Sequence, residues 1–361
     1  MNFNAPLFKP LRILLFPFSL IYGFIIWLRN RLYDKRLLRS AVFNKPLICV
    51  GNLSAGGTGK SPMVEYLVRL VITITAPAIL SRGYKRRTKG YALANSQSSA
   101  LDIGDEPMQF HLKFPGLTVA VGEERMVAIP QILHDRPETG VIILDDAFQH
   151  RSVKAGLNIL LTDSNDLFTR DWFLPTGNLR DEKKSYKRAN VIVVTKCRPD
   201  LSVTEKDIIT KEIAPAEDQD IFFSEIAYGN PYHILGGQQI SITNNMEVLL
   251  ISGIANPTPL KNYLSENVST YDELLFGDHH IFDTDDWKEI MRRYQLMETE
   301  NKIILTTEKD AVRLLKYKEH LHELPFYVIP IQCHFLFDEG NRFNNIISTF
   351  IGRYGTKTNS N

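Results

Sequence analysis

Residues 50–62 read VGNLSAGGTGKSP, and no other stretch of this chain limits its fold so strongly. Behind it, KPLICV is a short apolar run with the pattern of a buried strand; ahead, SPMVEYLVRLV carries apolar residues at helical spacing. A strand, a glycine loop ending in Gly-Lys-Ser and a helix form the context a phosphate-binding loop needs. Backbone N–H groups of Ser54, Ala55, Gly56, Gly57, Thr58 and Gly59, with the helix N-terminus, would surround the phosphate oxygens. Lys60 would reach the terminal phosphates of a bound nucleotide, and the Ser61 hydroxyl would ligate Mg²⁺. The pattern G-x-x-x-x-G-K-[ST] has lost its first glycine, replaced by Ser54, so the loop is a variant. A flexible turn with an incidental Gly-Lys-Ser is the plain alternative.

Strands and helices alternate beyond that loop. APAILSRGYKRR reads as a strand entering a basic turn, LDIGDEPMQFHLKF as a helix opening at Gly-Asp-Glu-Pro, and GLTVAVG as a strand before the helix ERMVAIPQILHD. TGVIILDDAFQH, LNILLTD and ANVIVVTK are further buried strands. This order predicts an α/β fold like that of phosphate-loop NTPases, a mostly parallel sheet flanked by helices. The pattern restarts with EVLLISGIANP, KNYLSENV, DDWKEIMRRY and KIILTTEKDAVRLL, a smaller C-terminal α/β unit. The expected divisions are an apolar helix with its basic flank at 1–45, a nucleotide-binding domain at 46–225, a smaller domain closing the cleft at 226–350, and a polar tail at 351–361.

The first fifty residues differ from the rest, with Asp34 as their one acid against eight Lys and Arg. Residues 13–28, ILLFPFSLIYGFIIWL, carry no charge, and as a helix would span about 24 Å, short of the ~30 Å hydrocarbon core. Basic RNRLYDKRLLR follows in place of a small-residue cleavage site. Three readings stand: a helix lying in the membrane interface, a helix buried against the protein's own core, and a full span. The first is preferred, with the cationic flank on anionic headgroups of the inner leaflet. Over the whole chain the net charge of +1 supplies no field that points to nucleic acid, and a monomer is expected. Cys49, Cys197 and Cys333 show no metal or redox spacing, which fits a reducing compartment.

Asp145 and Asp146 end VIILDD, where a strand of an open α/β sheet delivers side chains to the ligand crevice, and they are the candidate metal-binding acids. Gln149, His150 and Arg151 follow at once. Asp105 and Glu106 in GDEP are explained equally by catalysis and by simple placement at a helix start. Asp278, His279 and His280 in FGDHHIFD offer a general base with an orienting carboxylate; a metal pair and a plain surface loop are the alternatives. Glu308, Lys309 and Asp310 in TTEKDAVRL read as a solvated charged turn. Arg82, Tyr84, Lys85, Arg86 and Arg87 form a basic loop suited to an anionic substrate, and Arg180 in PTGNLRDE is a candidate charge stabiliser for phosphoryl transfer.

Taken in order, the N-terminal helix, VGNLSAGGTGKSP, LSRGYKR, GDEP, ILDDAFQHR, PTGNLRD, SGIANP, FGDHHIF and TEKDAVRL resemble the tetraacyldisaccharide 4′-kinase family, the lipid A 4′-kinases of Gram-negative bacteria. The resemblance covers nearly the whole chain. It implies a kinase that uses Mg-ATP to phosphorylate the 4′ hydroxyl of an acylated glucosamine disaccharide. By motif, Lys60 and Ser61 belong to the phosphate loop, Asp145 and Asp146 to the metal motif, and Asp105 with His279 to the family's catalytic pair. Tyr84 matches a tyrosine near the substrate sugar and Gln149 a residue near nucleotide and metal. Where relatives often read Arg-Glu-Pro, this chain has Arg180-Asp181-Glu182. Two rival classes stay in play: a membrane-associated GTPase or ATPase switch, and a non-catalytic nucleotide-binding scaffold. A guanine-specific switch would carry Asn-Lys-x-Asp, whereas the comparable VTKCRPD has Thr195 in place of Asn.

Overall fold

The computed structural model describes residues 13–355; residues 1–12 and 356–361, parts of the expected N-terminal segment and polar tail, lie outside the described residues. A nine-stranded sheet forms the larger body. Its strands run in the spatial order Ile331–Phe335, Asp220–Tyr228, Val191–Thr195, Leu157–Asp163, Leu47–Asn52, Val141–Asp145, Pro77–Ser81, Thr118–Val121 and Ala92–Leu93. All neighbours are parallel except the outermost pair at each edge. Helices cover both faces, so central strands such as Leu47–Asn52 and Val141–Asp145 are buried along their whole length. That explains their unbroken apolar runs. Ile48, Val50, Ile143 and Val193 face one layer, packed with Met63, Leu67 and Val71 of the Lys60–Val71 helix. Leu47, Cys49, Leu144 and Val194 face the other, against Ile129 and Ile132 of the Arg125–Asp135 helix.

A five-stranded sheet in the order Thr270–Leu275, Glu247–Ser252, Lys302–Thr307, Phe326–Ile329 and Tyr232–His233 forms the smaller unit. The chain then returns. Ile331–Phe335 pairs antiparallel with Asp220–Tyr228, and Phe343, Ile347, Phe350 and Ile351 of the Gly340–Gly355 helix join the core beneath the Lys60–Val71 helix. Where the sequence assigns 226–350 to the smaller unit, residues 331–350 therefore sit on the larger sheet. The run FYVIPIQCHF reads as one apolar stretch, yet Pro330 divides it between the two sheets.

The Phe16–Asp34 helix packs with an unusual polarity. Its buried residues are Ser19, Gly23 and Asn30, while Phe18, Leu20, Ile21, Phe24 and Ile25 are each more than half exposed. Polar contacts hold the inner side: Ser19 Oγ lies 2.7 Å from Thr176 Oγ1, and Tyr22 donates to the Arg180 carbonyl at 3.1 Å. Gly23 allows the close approach, since a Cβ there would stand 2.8 Å from the Phe173 ring and force a shift. The reading in which this helix buries its apolar side in the protein's own core is thereby corrected: a small and polar stripe faces inward. Among the described residues no helix is long and apolar enough to cross a membrane.

Candidate active site

The phosphate loop leaves the centre of the large sheet. Gly59, at φ +78°, turns the chain into the Lys60–Val71 helix, a backbone state that side chains with a Cβ rarely adopt. Neither Gly56 nor Gly57 has a neighbour within 4 Å of where a Cβ would stand, so the cradle is open. Two outer segments brace it. Ala55 N–H donates to the Asn178 carbonyl at 2.7 Å, and the Thr195 hydroxyl donates to the Thr58 carbonyl at 2.9 Å. The hydroxyls of Ser54 and Thr58 are buried with no hydrogen-bond partner among the described residues. A buried polar atom without a partner is costly unless a ligand completes it. Lys60 Nζ makes only long contacts, 3.4 Å to Asn52 Oδ1, 3.4 Å to the Gly56 carbonyl and 3.6 Å to Asp146. Burial lowers its pKa, opposed by the Asp146 charge. These features fit a bound nucleotide triphosphate.

Val50 pairs with Asp145 across neighbouring strands, which sets the acidic motif beside the loop. Asp145 accepts from Ser81 Oγ at 2.9 Å; burial and the adjacent Asp146 push its carboxyl up to about 6. Asp146, at φ +48°, accepts from Arg180 at 2.8 and 3.1 Å. Burial would raise its pKa, but Arg180 and Lys60 hold it well below the ordinary carboxylate range. A carboxylate pair beside the loop, with Lys60 Nζ 3.6 Å from Asp146, suits Mg²⁺, which takes few protein ligands. Among the described residues, no group of three or more His, Cys, Asp or Glu side chains is placed to hold a metal by itself. Gln149 donates to the Asn52 carbonyl at 2.6 Å and its own carbonyl accepts from Arg29 at 2.7 Å, joining this crevice to the N-terminal helix.

Across the cleft, Asp105 opens the Asp105–Lys113 helix. Its side chain leaves the helix start and meets the smaller unit: Oδ2 lies 2.9 Å from His279 Nδ1 and 2.6 Å from Arg313 Nη2. Burial alone would raise its pKa; hydrogen bonds from His279 and Arg313, with the Arg313 charge, bring it down to about 2. His279 holds a left-handed backbone, φ +62°, in the loop after Thr270–Leu275. His280 points elsewhere, bonding Asp286 at 2.6 Å and stacking on Phe276 with ring centroids 4.6 Å apart. Tyr84 is exposed, its ring 6.1 Å from that of His279. Arg82 is exposed beside it. Arg86 is spent on structure, its nearly buried guanidinium paired with Glu123 at 2.8 Å.

Sequence reasoning missed how much of the smaller unit docks here. Glu308 and Asp310 are buried, which corrects their reading as a solvated turn; Lys113 bridges Glu308 and Glu65, and Lys309 meets Glu106 at 2.9 Å. A local pattern of four charged residues cannot report a partner two hundred positions away. Asp181 faces away from the crevice, buried against Arg188 at 2.7 Å and Asn30 at 2.8 Å. Asp181→Ala should therefore cost about 3 kcal/mol of stability, read as a lower denaturant midpoint, with the KM for ATP unchanged. A variant of wild-type stability and altered KM would assign Asp181 to the site instead.

A phosphate loop, an adjoining acidic pair and a carboxylate met by a histidine of a second unit define a phosphate-loop nucleotide-binding α/β protein of the phosphotransferase kind. The family model described as LpxK, tetraacyldisaccharide-1-P 4′-kinase, matches residues 11–351, and the chain belongs to that family. A tetraacyldisaccharide 4′-kinase of Bacteroides thetaiotaomicron is 43% identical over 360 residues, covering 96% of this chain and 94% of the relative. That of Flavobacterium johnsoniae is 44% identical over 336 residues, with 92% and 95% covered. The crystal structure of LpxK from Aquifex aeolicus in complex with ATP superposes with a TM-score of 0.73 at 29% identity, covering 94% of this chain and 99% of that one.

Proposed function

We infer that the chain is an ATP-dependent kinase of lipid A biosynthesis that phosphorylates the 4′ hydroxyl of a tetraacyl glucosamine disaccharide 1-phosphate. The observation that carries the reading is the pairing of an open, braced phosphate loop with Asp105 of the same unit, which meets His279 of the facing unit at 2.9 Å. Loop amides and Lys60 would hold the β- and γ-phosphates, and Arg180 would offset charge as the phosphoryl group moves. Mg²⁺, held by Ser61 with Asp145 and Asp146, supplies further charge neutralisation when bound. Asp105 would accept the proton of the sugar hydroxyl, with His279 fixing its orientation. Tyr84 and Arg82 border the couple and would meet the sugar, and Glu106 sits at the same helix start. Because the couple spans the cleft, closure assembles the site and excludes water, which limits wasteful ATP hydrolysis.

The rival readings gain no support. Thr195, where a guanine switch would carry Asn, is buried and committed to the Thr58 and Thr162 carbonyls. A decayed scaffold has no need of Lys60, Ser61, Asp145 and Asp146 together. The direct test offers purified chain Mg-ATP and the monophosphorylated disaccharide lipid in detergent, then locates the new phosphate by NMR. A 4′ phosphate is expected; lipid-independent GTP hydrolysis with no phospholipid product would move the assignment to a switch.

The helix supports a place at the cytoplasmic face of the inner membrane. Phe18, Ile21, Phe24 and Ile25 present an apolar face to the outside, and Trp172 extends it, packed edge-on to Phe16 at 5.7 Å. Large exposed apolar surfaces of this kind mark lipid or partner contacts, and basic residues follow to meet anionic headgroups. Replacing those four residues by Ser should weaken co-sedimentation with vesicles containing anionic lipid by at least about a hundredfold, at ~1.5 kcal/mol or more per side chain. Undiminished binding would remove the helix from the membrane contact.

A further inference from the structure

The segments SGIANP and TEKDAVRL lie in the smaller unit, yet both end at Asp105 through a chain of buried polar groups. Asp310 is fully buried; its Oδ2 accepts from Gly253 N–H at 3.0 Å and from the Thr307 hydroxyl at 2.7 Å. Its Oδ1 accepts from Arg313 Nη1 at 3.2 Å. The guanidinium, only 8% exposed, then turns its remaining nitrogens to the facing unit. Nη2 and Nε stand 2.6 and 3.1 Å from Asp105 Oδ2, and Nη2 is 3.1 Å from His279 Nδ1. Arg313 and His279 thus converge on one carboxylate oxygen. Among the described residues no hydrogen-bond donor engages the other, Oδ1.

We propose that Arg313, anchored on Asp310, is a positioning residue for phosphoryl transfer: it pins Asp105 Oδ2 against His279 and leaves Oδ1 as the atom that takes the acceptor's proton. The inference rests on the kinase reading above. In the step, the 4′ oxygen bonds the γ-phosphorus as the β–γ bridging bond breaks and ADP leaves, while the hydroxyl proton passes to Oδ1 and then to solvent. A plain structural ion pair would be satisfied by Asp310 alone. Here the rigid fork of arginine is divided between a buried carboxylate of its own unit and the candidate base of the other, geometry that a lysine cannot reproduce. The groups facing Asp105 are Glu106 on its own helix, Asp278 and His279 on the loop, Lys309, Asp310 and Arg313 on the Glu308–Leu314 helix, and Tyr84 on the basic turn. Of these, Arg313 is the cation in contact with it.

The test measures lipid phosphorylation against pH for wild type, Arg313→Gln and Arg313→Lys. The Gln variant should lose about 10²-fold in kcat with the KM for ATP within about twofold, since displacement of a catalytic group by an ångström costs that much. Removing the cation lets the Asp105 pKa rise, so an acid limb of kcat/KM that wild type does not show should enter the range above about pH 4. Arg313→Lys should take that limb back out of the range and restore kcat in part. Wild-type kcat and pH profile in Arg313→Gln overturn the proposal, as does a loss carried entirely by the KM for ATP. Should that variant not fold, Thr307→Val answers in its place: it removes the hydroxyl that donates to Asp310 Oδ2 at 2.7 Å, disturbing the anchor without changing a charge. A severalfold fall in kcat then supports the relay, and an unchanged kcat refutes it. A wild-type protein that transfers no phosphate to the lipid defeats the kinase reading itself; transfer by wild type and by Arg313→Gln alike defeats this inference alone.

Discussion

Asp105→Asn should lower kcat for phosphate transfer by about 10²–10⁴-fold while leaving ATP affinity within about twofold. The substitution keeps the shape of the side chain, and its amide oxygen can still accept from Arg313. What it removes is the ability to take a proton. Asp105 lies on the helix after the basic turn, apart from residues 54–61, the proposed nucleotide cradle, so the loss should fall on chemistry rather than on binding. The depressed pKa, about 2, has a consequence for pH. A base with so low a folded pKa is already ionised at any pH where the protein is folded. Wild-type kcat/KM should then show no acid limb from Asp105 between pH 5 and 7. Pre-steady-state transfer and nucleotide titration measure the two halves separately; wild-type turnover in the Asn variant would end the assignment of Asp105 as base.

Lys60→Ala should be the other severe lesion, with kcat falling about 10²–10³-fold and ATP binding weakened as well. Lys60 makes only long, partial contacts in the free protein, so little holds it from the phosphates. Its loss leaves Asp146 paired with Arg180 at 2.8 Å, which compensates the carboxylate. Stability should change little. The pattern separates binding machinery from scaffold: calorimetric ATP affinity and kcat fall together while the melting temperature holds. Full activity in Lys60→Ala would mean that the glycine loop does not grip the transferring phosphate.

The phosphate loop was legible because its signal is local: a strand, three glycines and Gly-Lys-Ser suffice to place amides at a helix start. VIILDD was legible for the same reason, since strand adjacency in such sheets sets an acidic strand end beside the loop. Asp105 and His279 are 174 positions apart, and no spacing rule joins them; the ordered set of family motifs suggested the pair, and the folded chain supplies the 2.9 Å contact. Arg313 stayed hidden within TEKDAVRL because a helix that docks on another unit and a solvated one share the same charge pattern. The N-terminal helix was readable as apolar, and a place in the membrane interface was preferred, but which of its sides meets the protein was not evident. Ser19, Gly23 and Asn30 recur close to the helical period, and that small and polar stripe was the available sign that the apolar side faces outward. The return of residues 331–355 to the larger sheet depends on edge pairing, which sequence pattern does not encode.

The most direct measurement is the structure of the whole protein bound to a non-hydrolysable ATP analogue and the disaccharide lipid. The account predicts the 4′ oxygen within hydrogen-bond reach of Asp105, about 3 Å, with His279 behind that carboxylate and the γ-phosphate held by Lys60 on the opposite side. A closed complex in which Asp105 and His279 stand remote from both the acceptor oxygen and the triphosphate would contradict it.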